Sequence, residues 1–314
     1  MNKLFNNSDR DNMLEGVLDW LDSNMDKFQT PVEDSIVGIP PENIKADLSR
    51  KALIELGLAL RLAQRSSVLR KHPKIEKLKE AWISIVYSQN FFFDSRRRIQ
   101  LFPHRVVACS VLKSFGINEQ EVSNDLQTVL DRGYLDRIER SAWDKLDMKY
   151  YIEACDLKHS FSNNYDLLLN SSLINLPKLS YIQNMDLYGL THLLFHFSDF
   201  GSVDMKQFLG VHYKDVQKYV DLSTSMSIIK QDWDLTAELL INQFCLRKQF
   251  TEIDRDIAST LCKSQQTSGF IPGRDWVKQR QDGKSLEENL PLFDDVYHPT
   301  IVTLILLDCE FINN

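Results

Sequence analysis

The sequence predicts an all-α protein whose second half is built from helical hairpins, and three observations carry that reading. Eleven Gly and nine Pro among 314 residues are too few for the many tight turns of a sheet-rich fold. Apolar residues recur at three- and four-residue intervals along most of the chain. Three segments of the second half open alike and run into apolar helices. With 43% hydrophobic residues the chain can bury a substantial core. No polar linker forces a division, so one helical domain over 1–314 is expected, less regular over 1–180 and with clearer hairpin repeats over 181–314.

Ser8 can cap a first helix whose apolar stripe is Met13, Leu14, Val17, Leu18, Trp20, Leu21, Met25 and Phe28. Pro31, Gly38 and Pro40-Pro41 mark Thr30 to Pro41 as a loop. A second helix follows from about Asn43 to Gln64, with Leu48, Ala52, Leu56, Ala59, Leu60 and Ala63 on its buried side. Pro73 suits the first turn of a third helix ending near Gln89. Asn90-Phe91-Phe92-Phe93-Asp94 is the one run with the character of a strand. Helices are then expected over Pro103 to Phe115 and, capped by Asn118, up to Gly133; two more lie around Lys145 to Lys158 and Asn163 to Leu173. Short polar joints between segments of this length suit antiparallel helix pairs.

The internal repeat reads Tyr188-Gly189-Leu190-Thr191, Trp233-Asp234-Leu235-Thr236 and Tyr297-His298-Pro299-Thr300, with starts 45 and 64 residues apart. Return helices near Tyr213 to Ile229 and Ile253 to Gln265 separate them, and the polar stretch from Gly269 to Asp295 lengthens the second interval. A helical hairpin needs about this much chain at about 1.5 Å per residue.

A net charge of −7 argues against nucleic-acid binding, which relies on clustered Lys and Arg. Arg96-Arg97-Arg98 is the local exception, either a solvated loop or an anion-binding patch. Five cysteines without a CxxC pair indicate neither a zinc knuckle nor a thioredoxin-type site, and Cys155, Cys245 and Cys309 sit in apolar helical patterns as small buried hydrophobes. The N-terminus lacks an apolar secretion segment, and no stretch reaches the roughly 18 apolar residues of a membrane span; the reading is a cytoplasmic protein.

Met185 to Phe200 places Tyr188, His192, His196 and Asp199 on one helix face. Two imidazoles four apart can chelate a metal, with Asp199 as third ligand or as the group that orients an imidazole; the same stripe also serves as a polar network between packed helices. Asp232 can cap the second repeat helix. Asp234 and Glu238 share a face; if enclosed, like-charge proximity makes one a general acid beside a base, and if open they are surface charges. His298 reads as standing at a helix start, where the dipole favours the neutral imidazole, either as a base or ligand or as a cap.

Cys262-Lys263-Ser264-Gln265-Gln266-Thr267-Ser268-Gly269-Phe270, then Pro272-Gly273, then Asp295-Val296-Tyr297-His298-Pro299-Thr300, resembles the β-subunits of protein prenyltransferases and, more broadly, the α/α-toroid superfamily that includes terpenoid cyclases. The likeness covers about residues 185 to 312. It implies a closed or partly closed α/α toroid whose inner-helix starts face a central cavity. It also implies zinc, with His298 as a ligand and Asp232 and Asp234 in the place of the family's Asp-x-Cys pair. Asp234 replaces the cysteine that activates a thiol substrate, and Pro299 interrupts the Tyr-His-Thr element. The whole chain also resembles an uncharacterised bacterial family that shares Leu18-Asp19-Trp20-Leu21, Leu190-Thr191-His192 and Asp199-Phe200-Gly201.

Two functions are consistent with these residues. One is an enzyme using acid/base chemistry, metal-assisted or not, on a small or peptide-derived substrate, with His192, Asp199, Asp234, Glu238 and His298 gathered in one cavity. The other is a non-catalytic helical module that binds a peptide or protein partner.

Overall fold

A computed structural model describes residues 3–32, 35, 47–93, 96, 98–281 and 292–311. Among them every regular element is helical, and no strand occurs. The first seven α-helices are α1 (Asn7–Ser23), α2 (Asp47–Ala63), α3 (Pro73–Ser88), α4 (Phe102–Ser114), α5 (Gln120–Asp131), α6 (Ala142–Ala154) and α7 (Asn164–Leu169). The remainder are α8 (Asn184–Phe197), α9 (Met205–Leu209), α10 (Tyr213–Ile229), α11 (Trp233–Arg247), α12 (Glu252–Ser264), α13 (Arg274–Gln281) and α14 (Phe293–Phe311). No helix is long and apolar enough to cross a membrane among the described residues.

The chain forms two compact units, one of residues 1–20, 141–147 and 162–314 and the other of residues 21–140 and 148–161. In the second unit α2 packs on α3 and α4. Gly57 has no side chain, so the Trp82 ring lies directly on α2, and its indole N–H donates to the Leu53 carbonyl at 2.7 Å. Pro73 opens α3 as expected, with the His72 ring accepting from the Lys74 N–H. Gly116 closes α4 in the left-handed region at φ +81°, while Ile117 N–H reaches back to the Leu112 carbonyl, a Schellman ending.

Two sequence expectations change here. Asn90 to Phe93 is a turn rather than a strand: Asn90 is left-handed, and the buried Arg105 guanidinium donates to the carbonyls of Phe91 and Phe93. Asp94 lies outside the described residues. Glu119, not Asn118, precedes the first turn of α5, without a side-chain cap. Of the three arginines, Arg96 lies 3.5 Å from Asp125, while Arg97 falls outside the described residues. So do most of the loop before α2, the start expected for it at Asn43, and residues 282–291 of the long polar stretch.

The first unit is organised around α11. Apart from Asp234 every residue from Trp233 to Leu246 is buried, the signature of a helix enclosed on all sides. It packs against α8, α10, α12 and α14. Asn184 meets Asp232, Tyr188 meets Asp234 and Thr191 meets Glu238, so α8 and α11 run parallel. Asp234 meets His298 near the starts of α11 and α14, and Cys245 lies beside Cys309 near their ends, so these two are parallel as well. The buried side of α8 joins Leu235, Leu239 and Leu246 of α11 in one core with Val216 and Val220 of α10. Thr191, Thr236 and Thr300 are fully buried, and each hydroxyl bonds to a carbonyl three or four residues back on its own helix.

α1 lies antiparallel to α14. Trp20 stacks on Phe293, while at the other end the Glu310 carboxylate accepts from the N–H groups of Leu4 and Phe5. The turn after α12 also seats on α1: the Gln265 amide donates to the Met13 and Gly269 carbonyls, and Gly269, at φ +96°, comes directly against Gly16.

α14 begins at Phe293, about one turn before the start read from Tyr297-His298-Pro299. Pro299 stands inside the helix. Its missing N–H leaves the Asp295 carbonyl without its usual helical donor. The backbone of Gly273 fills that space so closely that a Cβ there would lie 1.9 Å from the carbonyl oxygen. The Asp295 carboxylate meanwhile accepts from the N–H groups of Asp275 and Trp276 and so caps α13.

Candidate functional site

The polar starts of α8, α11 and α14 meet at Asp234. Its carboxylate lies 2.7 Å from the Tyr188 hydroxyl through Oδ2 and 2.8 Å from His298 Nδ1 through Oδ1. Glu238, one turn further along α11, is 2% exposed and touches the Thr191 hydroxyl. Side-chain exposures of 22% for His298 and 17% for Asp234 leave the cluster reachable from outside while most of it is dry. Burial, then the charges of Asp234, Glu238 and Asp232, push the Tyr188 phenol far above its ordinary value, so it stays a protonated donor.

Asp232 belongs to a neighbouring arrangement. It caps α11 through the Leu235 N–H, and its Oδ2 takes Asn184 Nδ2 and Arg274 Nε, each at 2.9 Å. Burial, opposed by the Arg274 charge, raises its carboxyl above the usual range. The zinc set Asp232, Asp234 and His298 does not fit this geometry: the guanidinium already sits on the Asp232 oxygen that a cation would need.

His192 and His196 turn to another partner. From α6, Asp147 Oδ1 lies 3.3 Å from His196 Nε2 and 3.9 Å from His192 Nδ1. Successive residues of a helix are turned by about 100°. Asn184, Tyr188 and Thr191 therefore face α11, while Gly189, His192 and His196 face α6. The single Tyr–His–His–Asp face read from the sequence is thus two faces. Asp199 does not join either group. α8 stops at Phe197, Asp199 follows in the left-handed region, and its carboxylate is not among the ligand atoms of either candidate metal group.

Of the five residues expected in one cavity, Asp234, Glu238 and His298 come together; His192 stands in the second group and Asp199 in neither. His298 is the sixth residue of its helix, past the exposed N–H groups of the first turn, and Asp234 rather than the helix terminus fixes it. Sequence reasoning missed Asp147 and Arg274, whose partners are distant in the chain. Two groups have ligand atoms close enough to hold a metal among the described residues, Asp147/His192/His196 and Asp234/Glu238/His298, each within 4.8 Å. A hollow of about 310 Å³, lined in part by Gln231, Trp233, Pro272 and Trp276, adjoins the same end of α11.

No curated protein and no solved structure matches the chain. A family model described as a domain of unknown function, DUF6895, matches residues 14–307. On a match spanning nearly its whole length, the chain belongs to that family.

Proposed function

We propose that the protein is an enzyme that performs acid/base chemistry on a small or peptide-derived substrate at the cluster of Tyr188, Asp234, Glu238 and His298. The observation that carries this reading is the position of Asp234 between His298 Nδ1 and the Tyr188 hydroxyl, at 2.8 and 2.7 Å. A carboxylate that accepts from Nδ1–H selects the tautomer with an unprotonated Nε2, which can take a proton, and it stabilises the imidazolium that results. Tyr188 fixes the second oxygen of Asp234, so the carboxylate cannot rotate away.

Glu238, one turn further along α11, is the second carboxyl of the cluster, and the Thr191 hydroxyl, which also contacts the Tyr188 carbonyl, lies against it. The toroid likeness belongs to the same reading, because three parallel helices that bring their polar starts to one cluster are the arrangement expected of inner toroid helices. Zinc at Asp232 has no place in it, and no step here requires a metal.

The test is turnover by the full-length protein on a panel of short peptides, peptide-derived esters and small apolar compounds. His298→Gln and Asp234→Asn abolish turnover of any substrate found, with far-UV circular dichroism unchanged. Turnover retained by folded His298→Gln refutes the mechanism. Binding of a panel compound that is not converted and that His298→Gln leaves intact favours the binding-module reading.

A further inference from the structure

The second polar cluster has the composition and spacing of a transition-metal site. Trp143 and Asp147, in the first part of α6, lie against α8. Trp143 and Asp147 are four residues apart on α6, and Gly189, His192 and His196 follow one stripe of α8. At Gly189 a Cβ would lie 3.0 Å from Trp143, so glycine lets the two helices approach at this point. That approach brings Asp147, one turn beyond Trp143, to both histidines, with Oδ1 3.3 Å from His196 Nε2 and 3.9 Å from His192 Nδ1.

These separations are informative. Two donors held about 2.1 Å from one ion at tetrahedral angles lie about 3.4 Å apart. The imidazoles stand edge to face with centroids 5.9 Å apart, and both aim a nitrogen at the same carboxylate oxygen. A divalent cation at that point would be bonded by all three groups at once. Trp143, Phe195 and Phe200 pack around the imidazoles and supply the apolar surroundings that strengthen such bonds.

We propose that Asp147, His192 and His196 bind one divalent first-row transition metal, of which zinc is the best match. Two imidazoles and one carboxylate suit such ions, and three protein ligands leave a coordination position for water. The open side is where His192 and Asp147 remain about a third exposed, at 35% and 31%, whereas the His196 side chain is 2% exposed. The Asp234 cluster is a poorer host, because its carboxylate already bonds to Tyr188 and His298.

The test is equilibrium dialysis of the full-length protein against Zn²⁺, with elemental analysis, repeated with Co²⁺ to record its visible absorption. Wild type holds one ion per chain, and Co²⁺ gives the intense bands of a low-coordinate site. Asp147→Asn and His192→Gln, at positions exposed enough to keep the fold, weaken Zn²⁺ binding about tenfold or more. His298→Gln leaves it unchanged, which separates this site from the proposed acid/base cluster. No ion retained by wild type, unchanged affinity in both folded ligand variants, or a loss caused by His298→Gln would overturn the assignment.

Discussion

Replacing Gly269 by Ala is the most severe single-methyl change the fold offers in the turn after α12. The added Cβ would sit 2.0 Å from the Gly16 carbonyl oxygen, 2.7 Å from its carbon and 3.2 Å from its Cα, all backbone atoms of α1 that no rotamer change can move. Overpacking of this kind costs about 1–3 kcal/mol. The positive φ of +96° adds about 1 kcal/mol of strain for an L residue. The sum is about 2–4 kcal/mol, and for a unit of this size it lowers the unfolding midpoint by about 5–15 °C. Gly210→Ala, in the same unit, is the control: its φ is +53°, but nothing lies within 4 Å, so it bears the strain alone, about 1 kcal/mol. Thermal melts followed by near-UV dichroism, where Trp20 beside Phe270 reports on α1, measure both variants. Equal midpoints for the two would refute the close approach of α1 to the turn.

Tyr188→Phe tests the electrostatics of the cluster: the folded phenol is held above the unfolded value of 10.0, so its stabilising contribution is complete below pH 10 and is lost as pH rises beyond it. The variant loses stability with pH more shallowly than wild type, by about 1.4 kcal/mol per unit in urea titrations above pH 10, and parallel curves would contradict the burial of the phenol beside three carboxylates. Asp254→Ala removes the acceptor of the Thr251 N–H and strands Arg247 Nη2, now 2.9 Å away. The lost cap costs about 1 kcal/mol, and breaking a buried ion pair costs about 3 kcal/mol, less here because Asp221 still pairs with Arg247. Urea unfolding is expected to show a loss of about 3 kcal/mol, and a loss below about 1 kcal/mol sinks that account.

Much of the helical fold was legible because apolar spacing and capping chemistry are local. Pro73 and Asn163 mark starts that the structure keeps, with Asn163 accepting from the N–H three residues on. Pro299 misled for a physical reason: proline is usual in a first helical turn, yet here the bare backbone of Gly273 accommodates the carbonyl it leaves unpaired. The Asp234–Glu238 pair and His298 were legible as candidates, since residue type and four-residue spacing reveal a shared face. Their meeting with Tyr188 depends on the parallel register of three helices. Asp147 was not legible, because its partners are more than forty residues away and the contact depends on Gly189 admitting Trp143. Asp199 failed because spacing arguments end where the helix ends.

The most direct test of the central claim is histidine-selective ¹⁵N NMR of the full-length protein, with His298 assigned by substitution. At mildly alkaline pH the account predicts a neutral His298 with the proton on Nδ1 and Nε2 bare, and Asp234→Asn redistributes that proton. A His298 that carries its proton on Nε2, or that is indifferent to Asp234→Asn, contradicts it.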